Sequence, residues 1–112
     1  MMMDWNAYQK ELASAITEIA RASPTTIRGY RALGEAGADA LLDSKTRELI
    51  ALAVAVTLRC DGCIVTHVSA AMKAGATREE AMEALSVAIA VNAGAALVYS
   101  ARVVDSWAAK AS

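Results

Sequence analysis

The chain has 112 residues, a formal net charge of −1, and 56% hydrophobic residues, of which alanine alone makes up about a quarter of the sequence. Its charges are scattered, and no basic stripe exists to neutralise phosphates, so nucleic-acid binding has little support. The length predicts one domain, residues 1–112, and so apolar a chain has more surface than one small domain hides, so a homo-oligomer with extensive interfaces is expected.

One proline, six glycines and long runs of helix formers, with no alternating strand pattern, predict an all-α fold of about six helices. The start, Met1-Met2-Met3-Asp4, lacks the basic region and apolar run of a signal peptide. A reducing, cytoplasmic setting is expected, where a Cys-x-x-Cys pair is catalytic or metal-binding rather than a structural staple. The first helix runs from about Asp4 to Ala22, with Leu12, Ile16 and Ile19 on one face. Ser23-Pro24 stops it and starts the second, with serine as N-cap and proline at the first helical position. Gly34 and Gly37 mark the end of that helix near Glu35.

Asp43-Ser44 caps a third helix that reaches about Leu58, and Arg59-Cys60 forms a corner. The Cys-x-x-Cys segment opens a fourth helix that ends at Gly75. Thr77 and Glu80 have the spacing of a capping box, opening a fifth helix to about Val91. Asn92-Ala93-Gly94 predicts a break before a last helix carrying Tyr99, Val103 and Trp107. The stretch from Ala84 to Ala101 has no charged residue and is nearly long enough to span a bilayer. It is rich in Ala, Ser and Gly and lacks flanking topology signals, so a helix buried in an interface is expected, with no membrane partner.

The chemistry concentrates in Cys60-Asp61-Gly62-Cys63 and His67, which hold both cysteines and the one histidine of the chain. On a helix, Cys60, Cys63 and His67 fall at i, i+3 and i+7 and share a face. The thiolate is the reactive form of cysteine. A helix N-terminus, the preceding Arg59 and the nearby His67 all favour it, and Asp61 opposes it. A nucleophile, a base and a group orienting the base form the general pattern of an activated nucleophile. Glu48 is the candidate for the third role, although it also fits as an exposed first-turn acid. A continuous helix would hold it roughly 18 Å from Cys60 at ~1.5 Å per residue, so the chain must turn back or a second subunit must bring them together.

Glu48, eleven residues, Cys60-x-x-Cys63, three residues and His67 resembles the signature of the alkylhydroperoxidase D family, the thiol-dependent branch of the carboxymuconolactone decarboxylase superfamily. The flanks Ser44 to Ile50 and Ala74 to Glu80 are similar too, so the resemblance spans about Leu42 to Gly94. It implies an alkylhydroperoxidase D-like helical subunit assembled into trimers or hexamers, and peroxide reduction through a dithiol–disulfide cycle. It implies Cys63 as the peroxide-attacking thiolate, Cys60 as the resolving thiol, and His67 with Glu48 as the proton relay. A dithiol donor, a lipoyl-bearing or thioredoxin-like protein, would then reduce the disulfide. No cofactor and no resident metal are expected. Alkylhydroperoxidase D proper has a further histidine just before its second cysteine, where this chain has Gly62.

Zinc is the competing reading of the same residues, since Cys60, Cys63 and His67 could supply three ligands, with Asp61, Glu48 or a second subunit as the fourth. Haem attachment requires histidine directly after the second cysteine, where Ile64 stands. A lactone decarboxylase or a non-catalytic, metal-holding helical module are the alternative functions. Trp5, Trp107 and the tyrosines are too scattered for a stacking platform, and Met72 and Met82 read as packing.

Overall fold

The computed structural model describes residues 1–36 and 41–112, so Gly37 lies outside the described residues. Five helices and no strand occur among them: α1 (Trp5–Ala22), α2 (Pro24–Glu35), α3 (Ser44–Leu58), α4 (Asp61–Lys73) and α5 (Arg78–Ala111). Polar side chains fix most of the starts. The Asp4 carboxylate accepts the Ala7 amide, Asp43 accepts the Thr46 amide at 2.8 Å, and the predicted Thr77–Glu80 capping box forms reciprocally. Ser23 departs from expectation. Its hydroxyl pairs with that of Thr26 at 2.6 Å instead of an amide, and Pro24 starts α2 by its fixed φ.

The break expected at Asn92–Gly94 does not form, so five helices replace the six. The Asn92 amide donates to the Ala88 carbonyl one turn back at 2.7 Å and to Thr57 Oγ1 on α3 at 2.9 Å. These bonds hold it within the helix and against its neighbour. The surrounding alanines offset the propensity cost of Gly94.

The central unit is α3, which packs against both α4 and α5, while α1 lies on α2 and α4. Lys45 of α3 and Glu80 of α5 meet at 2.8 Å and tie the two N-termini together. The Arg47 guanidinium donates to the Ala36 carbonyl at 2.9 Å, which links α3 to the end of α2. Among the described residues only Ile27, Leu52, Ala55, Val65, Ala71 and Ala88 are buried. Half of this small core is alanine, so its hydrophobic contribution is slight. The radius of gyration is 18.6 Å, against about 13 Å for a compact domain near this length.

The extension comes from α5, whose 34 residues correspond to roughly 50 Å of helix. Its second half leaves Leu97, Val98, Tyr99, Val103, Val104 and Trp107 exposed. By length and composition α5 is apolar enough to cross a membrane. The same composition suits a helix buried between subunits, whose small residues permit close approach.

Candidate dithiol site

The reversal between α3 and α4 builds the site. Arg59 adopts the left-handed conformation, with φ 54° and ψ 48°, and ends α3. The Cys60 amide then donates to the Ala55 carbonyl at 3.1 Å and the Arg59 amide to Val56 at 3.2 Å, the crossed bonds of a tight helix terminus. A non-glycine residue in this conformation costs roughly 1–2 kcal/mol. The predicted corner at Arg59-Cys60 is therefore real, and it folds α4 back along α3.

Cys60 is the N-cap of α4, and its Sγ accepts the Cys63 amide at 3.1 Å. The two cysteines are joined in a disulfide, with Cα atoms 5.2 Å apart. This spacing follows from placing the first cysteine at the cap and the second in the first helical turn. Both are half-buried. In this disulfide form no group of three metal-ligating side chains converges among the described residues.

One turn beyond Cys63, His67 Nδ1 lies 2.6 Å from Glu48 Oε2. The contact forms within one chain because the corner brings α4 back beside Glu48, the fifth residue of α3. No second subunit is needed to join Glu48 to His67. The pair is partly shielded, with side-chain exposures of 33% for His67 and 25% for Glu48. A carboxylate accepting the Nδ1 proton leaves the Nε2 lone pair free as a base.

Gly62 has a role that sequence reasoning did not supply. A Cβ placed there would sit 2.9 Å from Leu12 Cδ2 and 3.7 Å from the Tyr8 hydroxyl. Helix α1 thus fills the space beside the first turn of α4, and any side chain added there must displace the end of Leu12. Gln9 Nε2 adds a hydrogen bond to Ser69 Oγ at 3.3 Å, and Trp5 meets Tyr8 edge-on at 6.2 Å between centroids. These residues lie about fifty positions before the cysteines. Their only sequence signal was the glycine itself.

Comparison with known proteins identifies the family. Residues 24–106 match the carboxymuconolactone decarboxylase family. The chain belongs to that family. An uncharacterized protein of Haemophilus influenzae is 45% identical over 108 residues, covering 96% of each chain. An uncharacterized protein from the cox locus of Paracoccus denitrificans is 40% identical over 89 residues, covering 79% of this chain and 80% of its own. The crystal structure of a carboxymuconolactone decarboxylase family protein from Legionella pneumophila, in its apo form, superposes with a TM-score of 0.75 at 36% identity. That likeness covers 87% of this chain and 88% of the Legionella chain. Both the all-α fold and the alkylhydroperoxidase D-like resemblance agree with these matches.

Proposed function

We propose that this family member is a thiol-dependent peroxidase that reduces alkyl hydroperoxides through a Cys60–Cys63 dithiol–disulfide cycle. The observation that carries this reading is the Glu48–His67 hydrogen bond, one helical turn from a Cys-x-x-Cys disulfide at a helix start. In the reduced protein, His67 Nε2 takes the Cys63 proton while Glu48 holds the ring at Nδ1. The amides of the first turn of α4 favour negative charge on the sulfur.

The thiolate attacks one peroxide oxygen and breaks the O–O bond. The departing alkoxide takes the proton from His67, so a thiol and a hydroperoxide become a sulfenic acid and an alcohol. The Cys60 sulfur then attacks the Cys63 sulfur, forming the S–S bond and releasing water. A dithiol donor, lipoyl-bearing or thioredoxin-like, returns both electrons by thiol–disulfide exchange. No resident cofactor takes part, and a cytoplasmic setting supplies such donors. The exposed second half of α5 suits burial against further copies of the chain, as a homo-trimer or homo-hexamer.

Cys63→Ser is expected to abolish peroxide consumption with a dithiol donor. Undiminished turnover by that variant would overturn the assignment. The family's lactone chemistry is the second reading, favoured by the family match, and it predicts activity that survives alkylation of both cysteines.

A further inference from the structure

Around α4, successive residues advance by about 100°, so Gly62 lies about 100° to one side of Cys63 and His67 about 40° to the other. Ser69, seven residues after Gly62, returns to nearly the same side. Helix α1 occupies that side. Leu12 and Tyr8 sit at Gly62, and Gln9 bonds Ser69. Glu48 of α3 borders the opposite side through His67. The half-buried Cys63 therefore lies between the side of α4 covered by α1 and the side bordered by His67 and Glu48.

The wall on the α1 side is closed by contact. An added methyl carbon at Gly62 would sit 2.9 Å from Leu12 Cδ2, so a substrate atom enters there only by displacing the leucine side chain. We infer that Leu12 and Tyr8, seated on Gly62, form a steric wall that makes the dithiol site selective for slim hydroperoxides over bulky ones. This inference rests on the peroxidase reading and adds a substrate class to it: hydrogen peroxide and unbranched primary alkyl hydroperoxides, with tertiary aryl-alkyl hydroperoxides disfavoured. The wall is steric and uses the two Leu12 methyls, with the Tyr8 hydroxyl 3.7 Å from the same point.

The test compares the rates at which the prereduced full-length protein consumes hydrogen peroxide and cumene hydroperoxide. Leu12→Ala opens the wall and is expected to raise the cumene-to-hydrogen peroxide rate ratio roughly tenfold, the scale on which a few methylenes discriminate in an apolar pocket. Leu12→Val, which keeps most of the packing, should move the ratio in the same direction by less. Ile19→Ala, elsewhere on α1, should leave it unchanged. A merely structural role for Leu12 would lower both rates together and leave the ratio fixed, and that result overturns the wall while sparing the peroxidase reading. A wild-type protein inert to both peroxides, with free thiols verified, overturns both.

Discussion

Glu48→Gln separates the two things the Glu48 carboxylate does for His67. The amide oxygen of glutamine can still accept the Nδ1 proton at the 2.6 Å contact, so the ring stays oriented. What disappears is the negative charge facing the ring when it takes the Cys63 proton. A hydrogen bond to a charged group contributes about 1.5–3 kcal/mol. The pair is a quarter to a third exposed, which places the effect near the lower end of that range. At about 1.4 kcal/mol per decade, the reaction of Cys63 with peroxide should slow roughly tenfold. Glu48→Ala, which also frees the ring, should slow it further. The assay is stopped-flow loss of free thiol after mixing prereduced protein with hydrogen peroxide, with circular dichroism confirming that the helices are retained. A Glu48→Gln protein reacting at the wild-type rate would show that charge on Glu48 plays no part, and equal rates in Glu48→Ala would remove it from the relay entirely.

Cys60→Ser should keep the start of α4, because serine is a good N-cap and can accept the Cys63 amide as the sulfur does, while Cys60→Ala should cost about 1 kcal/mol in a denaturant titration. Both should trap Cys63 as a sulfenic acid detectable by mass spectrometry, and a disulfide-free turnover in either would refute the resolving role. The Lys45 ammonium holds the Glu80 carboxyl below its ordinary range, with the Thr77 amide adding to this, and the Thr46 amide does the same to Asp43. Depressed carboxylates contribute stability above their unfolded values of 4.5 and 3.8 and lose it as pH falls through the folded values. The melting temperature should therefore drop on acidification below about pH 4. The deficit of Glu80→Gln relative to wild type should shrink there, and a deficit independent of pH would contradict the linkage. Lys45, raised by the same pair, contributes fully below 10.5 and loses its contribution only as pH rises through its higher folded value. Trp107→Asp, at a position 75% exposed on α5, should shift the protein to smaller species in light scattering, and an unchanged mass would exclude this face from self-association.

The sequence was most legible where a local rule decides the outcome. Asp43 and Thr77 announced helix starts by cap chemistry, and both starts occur. The spacing of Cys60, Cys63 and His67 placed the thiols at a helix start with the imidazole a turn away. The position of Glu48 was harder. Spacing along one helix argued against contact, and only the left-handed turn at Arg59 brings the pair together. No propensity favours that conformation for arginine, so it could be inferred only from the need to reverse. Asn92–Gly94 misled because asparagine and glycine are local helix breakers, yet Asn92 is held by Thr57 of another helix. The wall on α1 was illegible for the same reason, since contacts across fifty residues leave no periodic trace.

Gly62 connects these levels. Read along the chain, it was a departure from the alkylhydroperoxidase D pattern and a reason to question which substrate the site accepts. In three dimensions it is the seat of α1, and its missing side chain lets Leu12 approach the turn. Restoring a Cβ there sets two small effects against each other. Alanine gains up to about 1 kcal/mol of helix propensity over glycine. Leu12 must swing from its 2.9 Å position, which costs roughly 0.5–1.5 kcal/mol if it leaves its rotamer. Near-neutral stability is therefore expected for Gly62→Ala, since the clashing atom is the movable end of a leucine. A larger side chain at the same position would require Leu12 to move further, with the Tyr8 hydroxyl 3.7 Å from the same Cβ. The glycine and the docked helix thus belong together: with α1 laid over this turn, the space beside position 62 is taken by Leu12.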